Sequence, residues 1–182
     1  MDRVQPDSQI KPMAPTAVVV MGVSGSGKST LGSLLAQELG CRFVEGDELH
    51  TPANIEKMSR GEPLNDADRW PWLDRLGKVL HDVVEQEGLV VAACSALKYC
   101  YRERLGAAVG APVAFIMLET DREELSRRLN SRENHYMPAS LLASQFDALE
   151  RPFESERALI LDASLPPETL CRASREWLAA RG

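Results

Sequence analysis

Cysteine is scarce in this sequence, and its spacing argues against two common kinds of site. The four cysteines lie far apart and include no C-x-x-C pair: Cys41, Cys94, Cys100 and Cys171. A zinc site needs closely spaced thiols, and a disulfide framework needs a denser set of them. We therefore predict reduced thiols in a cytoplasmic protein, with no structural zinc.

Long apolar runs and an excess of basic residues are also missing. No stretch approaches the roughly 20 apolar residues that span a membrane, and 21 Lys and Arg against 27 Asp and Glu give a net charge of −6. A basic nucleic-acid surface is therefore not expected. Residues 1–15 contain three prolines and no apolar signal-peptide stretch, and we predict a flexible N-terminal tail there. We expect neither a membrane nor a nucleic acid as partner.

What the sequence does contain is an alternation of apolar runs and amphipathic segments. Its 182 residues, 44% of them hydrophobic, suffice for one domain, which we place at residues 16–182. One predicted helix carries Leu73 and Val83 on its apolar face, and Trp70 and Trp72 are expected in the core or at a hinge before it. The predicted strands are 16–21, 42–45, 89–94, 113–118 and 158–161. This order predicts an α/β fold, a three-layer domain with a five-stranded parallel sheet.

The strongest motif follows the first predicted strand. Residues 22–29 match G-x-x-x-x-G-K-[ST] between a strand and a helix, which is the setting of a phosphate-binding P-loop. Glycines let backbone N–H groups turn toward phosphate oxygens, Lys28 can reach the β- and γ-phosphates of ATP, and the Ser29 hydroxyl can bind Mg²⁺. A glycine turn that binds nothing is the alternative. The predicted phosphate contacts are Gly22, Ser24, Gly25, Ser26, Gly27, Lys28, Ser29 and Thr30.

The P-loop alone does not choose between a kinase, a GTPase and a motor. The sequence has no N-K-x-D guanine motif, and the chain is short for a transporter-type ATPase. The class that is left comprises the small-molecule and nucleotide kinases, which carry a mobile lid after the fourth strand.

Arginines are concentrated where that lid is expected, at about residues 122–137. Thr120 to Glu123 fits a capping box for its helix. Arg128 and Arg132 share one helical face, from which they could neutralise charge on the transferred phosphoryl group. A solvated charged helix is the alternative, and the spacing does not decide which arginine contacts the phosphates.

The acceptor is expected beyond the carboxyl ends of the strands. Asp47 follows the second strand, where it could accept the proton of the acceptor hydroxyl, hold Mg²⁺ through water, or merely stabilise a turn. Three cations are predicted near the same edge, Arg69, Lys98 and Arg102, and they indicate an acidic substrate. His50 and His135 are candidates for binding its hydroxyls.

Several sequence blocks together resemble one known family. They include Glu45–His50, Asn54–Met58 and Cys94–Lys98, which extend the P-loop match. On these blocks the chain resembles the thermoresistant-type gluconokinases, small P-loop kinases that make 6-phosphogluconate from D-gluconate and ATP. Trp70 and Tyr136 depart from the family pattern, and both keep a packing role.

The resemblance implies a nucleoside-monophosphate-kinase-like fold with a helical lid, and D-gluconate, ATP and Mg²⁺ as ligands. It also implies a cytoplasmic homodimer. Carried over by position, Lys28, Asp47 and Arg128 are catalytic and Asp47 is the base. The gluconate pocket would consist of Asp47, His50, Arg69, Lys98, Arg102 and His135.

Two other hypotheses stay open. The same fold could serve another acceptor, as in shikimate or nucleotide kinases, although Cys94–Lys98 stands where a shikimate kinase has a glycine-rich turn. The chain could also be a non-catalytic ATP-sensing module, although it keeps Lys28, Ser29 and Asp47 together.

Overall fold

The computed structural model of the protein describes residues 16–130 and 139–181. Strands and helices alternate along the chain, as predicted. The strands are β1 Thr16–Met21, β2 Arg42–Glu45, β3 Leu89–Ala93, β4 Val113–Glu119 and β5 Ala158–Asp162. The helices are α1 Lys28–Leu39, α2 Pro52–Ser59, α3 Asp66–Glu87, α4 Tyr99–Val109, α5 Arg122–Asn130, α6 Ala139–Ala148 and α7 Pro167–Ala179.

The five strands form one parallel sheet in the order β2-β3-β1-β4-β5. β1 lies at its centre, with Val18 opposite Val91 of β3 on one side and Ala114 of β4 on the other. All six residues of β1 are buried, which explains its unbroken apolar run, because a strand covered on both faces has no polar side. The carboxyl ends of all five strands therefore meet at one edge of the sheet.

Two separate apolar clusters cover the two faces of the sheet. On one face, Leu31 and Leu35 of α1 pack with Leu178 of α7. On the other, Leu76 of α3 packs with Leu105 of α4. The predicted three-layer α/β fold is confirmed.

Helix α3 begins earlier than the leucine spacing predicts. Its N-cap is Asn65, which forms a capping box with Asp68, and the helix continues through Pro71 to Glu87. The segment before Leu73, expected in part as a hinge, is thus the first two turns of the helix. Asn65 gives no apolar periodicity, so the leucine pattern could only detect the helix from its buried face onward.

Two smaller expectations also have outcomes. All four cysteines are free, as predicted. The predicted capping box at α5 is wrong in its position: the Asp121 carboxylate, rather than Thr120, accepts from the Glu124 N–H at 2.7 Å. None of the helices in the two described ranges is long and apolar enough to cross a membrane. The predicted tail at residues 1–15 lies outside the described residues.

Candidate active site

The turn between β1 and α1 has the backbone geometry of a phosphate-binding loop. Gly22 has φ 138°, and a Cβ at this residue would lie 2.8 Å from the carbonyl oxygen of Leu118. Only glycine fits there, because both the conformation and the close approach exclude a side chain. The loop ends directly at α1, so the first helical N–H groups face the space that a phosphate would fill.

Lys28 lies where the P-loop motif requires it. Its Nζ donates to the Val23 carbonyl at 3.1 Å across the loop. Burial lowers the pKa of Lys28, while the carboxylates of Asp47 and Glu45 oppose that effect. The ammonium therefore sits in a crowded site from which it can reach a phosphate placed on the loop.

Glu45 is a site residue for which no role was predicted from the sequence. Its Oε2 accepts a hydrogen bond from the hydroxyl of Ser29, the predicted Mg²⁺ ligand. A hydroxyl and a carboxylate are oxygen donors of the kind that Mg²⁺ prefers, so the residues present fit this metal. Among the described residues, no three His, Cys, Asp or Glu side chains are arranged so that they could hold a metal ion by themselves. The clue in the sequence was the position of Glu45 at the end of β2.

Asp47 and His50 face each other across a single 3-10 turn, Gly46–Leu49. His50 Nε2 lies 3.8 Å from Asp47 Oδ1, and the Asp47 side chain is 70% exposed. A Cβ on Gly46 would lie 2.3 Å from the Ala93 carbonyl oxygen, so the turn packs directly against the end of β3. Asp47 is thereby fixed at the carboxyl edge of the sheet and open to a ligand.

His50 is buried behind this carboxylate. Its ring stacks on that of Trp72, with 4.1 Å between the centroids, and its Nδ1 lies 3.4 Å from the Asn54 amide nitrogen. Burial lowers the pKa of His50 to about 4, the Asp47 carboxylate opposes this shift, and the Arg69 charge adds to it. His50 is therefore neutral at physiological pH and leaves the negative charge of Asp47 uncompensated.

A cavity of about 460 Å³ lies between the start of α3, Lys98 and α6. Arg69, Lys98, Asp66 and Tyr101 line it, together with Ser144 of α6. Lys98 Nζ donates to Asp66 Oδ1 at 2.8 Å, and the Tyr101 hydroxyl donates to the same oxygen. Two of the predicted substrate cations, Arg69 and Lys98, are thus brought together in one pocket.

The third predicted cation, Arg102, is not in this pocket, and that prediction is wrong. Its guanidinium is buried and donates to both carboxylate oxygens of Glu156, at 2.6 Å and 2.9 Å. Its remaining nitrogen donates to the carbonyls of Ala96, Leu97 and Glu150. The sequence spacing placed Arg102 one helical turn from Lys98 and therefore predicted the same pocket. The Arg102 side chain instead points into the protein interior, where it connects the loop after β3 to the segment before β5.

Gln145 is a second site residue for which no role was predicted. Its side-chain Oε1 accepts from the backbone N–H of Ser24 in the phosphate loop, at 2.7 Å. Ser144, its neighbour on α6, lines the cavity. Helix α6 therefore joins the wall of the cavity to the phosphate loop, a connection across 121 residues that no local pattern could predict.

The lid is only partly within the described residues. Helix α5 carries Arg128, whose side chain is not described, and Arg132 and His135 lie outside the described ranges. The predicted roles of these three residues stay predictions.

A phosphate loop between β1 and α1, a carboxylate after β2 and a cationic cavity whose α6 wall is bonded to the loop define a P-loop kinase of the small-molecule class. A family model described as "AAA domain" matches residues 18–155. The gluconokinase of Gluconobacter oxydans (strain 621H) is 46% identical over 158 residues, which cover 87% of this chain and 88% of the relative. The thermosensitive gluconokinase of Escherichia coli (strain K12) is 44% identical over 149 residues, 81% of this chain and 79% of the relative. The chain belongs to the gluconokinase family.

The solved structures agree with this assignment. The crystal structure of a gluconokinase from Sinorhizobium meliloti 1021 matches with a TM-score of 0.83 at 43% identity, covering 92% of this chain and 94% of the other. The resemblance inferred from the sequence blocks is thereby confirmed.

Proposed function

We propose that this protein transfers the γ-phosphate of ATP to D-gluconate and forms 6-phospho-D-gluconate, with Mg²⁺ as the metal. The observation that carries the proposal is the cationic cavity lined by Arg69 and Lys98, whose α6 wall is bonded to the phosphate loop through Gln145. Such a cavity suits an acceptor that is small, hydroxylated and acidic. The names of the relatives point to the same acceptor.

Each residue of the loop and the turn after β2 has a distinct task in this proposal. Lys28 holds the β- and γ-phosphates, and Ser29 with Glu45 would hold Mg²⁺, directly or through water. The metal, when bound, neutralises charge on the phosphates. Asp47 accepts the proton of the acceptor hydroxyl as that oxygen attacks the γ-phosphorus and ADP leaves, and the neutral His50 ring beside it leaves the Asp47 charge intact.

Arg69 is the anchor that we assign to the gluconate carboxylate. Within the described ranges no carboxylate forms an ion pair with it, and its guanidinium lies 5.5 Å from the centroid of the Tyr101 ring. An arginine can grip a carboxylate with two parallel hydrogen bonds. Arg128, Arg132 and His135 would complete the site from the lid, and the protein would act as a cytoplasmic homodimer.

The test is a coupled ADP-release assay with Mg-ATP against gluconate, shikimate, glycerate, AMP and glucose. We expect turnover with gluconate well above the no-acceptor background, and loss of that turnover in Lys28→Ala. Turnover with another acceptor alone would keep the kinase class and refute gluconate as substrate. ATP binding without transfer to any acceptor would favour a sensing module instead.

A further inference from the structure

Asp66 is a charged residue of the cavity to which the proposed mechanism gives no task. It is the first residue of α3, and its Oδ1 accepts from both Lys98 Nζ and the Tyr101 hydroxyl, which belong to the start of α4. Its side chain is 46% exposed, so it faces the cavity as well as its two partners. These bonds, with the Lys98 bond contributing most, hold the pKa of Asp66 below its usual range. Asp66 is therefore an anion at every pH at which the enzyme would work.

The charges on the described part of the cavity wall sum to one positive unit. Arg69 and Lys98 each contribute a positive charge, and Asp66 removes one of them. Lys98 is the cation that is compensated, because its ammonium is already bound to a carboxylate. Both cations also lie over the Tyr101 ring, each 5.5 Å from its centroid. The two charges are thus close enough to act on one small ligand.

We infer that Asp66 sets the charge class of the acceptor, so that the cavity takes a sugar acid with one carboxylate and rejects one with two. The inference rests on the proposed function for the identity of the site. A single carboxylate meets Arg69. A second carboxylate that approached Lys98 would have to displace Asp66 or lie beside it, and like charges in a partly enclosed site repel. The Lys98, Tyr101 and Asp66 cluster instead offers donors and an acceptor to hydroxyl groups.

The experiment compares two ligands that differ in one charge. Threonate and tartrate of threo configuration share a four-carbon hydroxylated skeleton and carry one and two carboxylates. Their dissociation constants can be measured by NMR titration of the protein, which requires no turnover. We expect the wild-type protein to prefer threonate and Asp66→Asn to improve tartrate binding relative to threonate by about tenfold. The double variant Asp66→Asn with Lys98→Gln restores the charge sum and should return the ratio to the wild-type value.

Asp74→Asn is the matched control. Asp74 also lies on α3 and also joins it to α4, through Arg104, but it does not line the cavity. The ratio of tartrate affinity to threonate affinity in Asp74→Asn should equal that of the wild-type protein. An unchanged ratio in Asp66→Asn, or a tartrate preference that persists in the double variant, would overturn the inference.

Two further outcomes keep the result decisive. If Asp66→Asn does not fold, as its melting curve would reveal, Lys98→Gln tests the same charge balance by removing a positive charge. This variant should weaken tartrate binding more than threonate binding. An equal loss for both ligands would refute the inference. If the charge response is as expected but gluconate is not phosphorylated, the proposed function fails and the inference about charge class holds.

Discussion

Asp47 is the residue on which the proposed chemistry depends most. It lies in the 3-10 turn that follows β2 and packs against the end of β3, and its side chain is exposed. An exposed carboxylate of this kind contributes little to folding, so a loss of activity on its replacement can be assigned to the reaction rather than to stability.

We expect Asp47→Asn to lower kcat by about 10²- to 10⁴-fold, the usual contribution of a general base. The amide keeps the shape of the side chain but cannot take the proton. Steady-state kinetics with gluconate would measure the effect, with Glu48→Gln as the matched control, since Glu48 is an exposed carboxylate in the same turn. A near-normal kcat in Asp47→Asn would remove Asp47 from the role of base.

The buried His50 ring should make the free energy of unfolding depend on pH. Its pKa is about 4 in the folded protein against 6.5 for the unperturbed group, so the unfolded chain binds the proton more readily. The free energy of unfolding should therefore fall as pH drops from about 6.5 toward 4, by about 2 kcal/mol between pH 7 and pH 5 from this residue alone. Urea denaturation at both pH values would measure it.

The control for this prediction is His50→Gln. The glutamine side chain does not titrate, so the variant should lose less stability than the wild type over the same pH interval, whatever its absolute stability. An identical pH dependence in both proteins would show that His50 is not held neutral by its surroundings.

At this scale the sequence predicts motif residues well and buried partners poorly. Lys28 and Ser29 could be assigned because their chemistry depends on neighbours in the same loop. Arg102 could not, because the buried face of α4 and the distant Glu156 decide its role. Glu45 lay within a recognised block, but its bond to Ser29 depends on how β2 and α1 pack.

At the scale of elements, α3 carries two parts of the site. Its first turns hold Asp66 and Arg69 at the cavity, and Trp72 one turn later donates to the Gly46 carbonyl at 2.7 Å. That bond ties the helix to the turn that carries Asp47. The leucine spacing predicts the buried half of α3, whereas the capping box at Asn65 determines where the functional half begins.

Helix α6 gives a prediction of its own through Gln145. Gln145→Leu removes the acceptor for the Ser24 N–H, and the loss of one hydrogen bond corresponds to about a fivefold change. We expect kcat/KM to fall by about that factor for both ATP and acceptor, because α6 supports both sites. Asp147→Asn, an exposed change on the same helix, should have no such effect.

Gln145→Glu separates positioning from mere stability. A carboxylate can still accept from Ser24 and should keep the melting temperature, but its negative charge lies beside the phosphates and should raise the KM for ATP more than Gln145→Leu does. If the glutamate variant behaved like the wild type, the contact would be structural only.

At the scale of the whole molecule, two features of the sequence determine the architecture. Apolar runs bury a parallel sheet, and amphipathic helices cover its faces, so the α/β architecture could be predicted from pattern alone. The contacts between distant segments could not be predicted in this way. Ala96 has φ 43°, an uncommon conformation for a residue with a side chain, and the Arg102 guanidinium holds this turn by donating to the Ala96 and Leu97 carbonyls.

The Arg102 and Glu156 pair therefore stabilises the whole fold. The Arg102 side chain is 1% exposed and that of Glu156 10%. Burial opposes ionisation of Glu156, but hydrogen bonds from Arg102 and from the Phe153 N–H outweigh it and lower the pKa of Glu156. Both groups are thus charged at neutral pH, and each depends on the other.

Glu156→Gln should lower the free energy of unfolding by roughly 3–5 kcal/mol, the cost of leaving a buried charge without its partner. Asp74→Asn, which breaks the exposed pair with Arg104, should cost far less, because solvent screens an exposed ion pair. Urea denaturation of both variants measures this contrast, and their KM values for gluconate distinguish a structural role of Arg102 from a role in substrate binding.

Because Arg102 lies outside the cavity, Glu156→Gln should leave the KM for gluconate unchanged under conditions where the variant is folded. A raised KM with near-normal stability would return Arg102 to the substrate site, whereas a large loss of stability with an unchanged KM would establish it as the tie between the loop after β3 and the segment before β5.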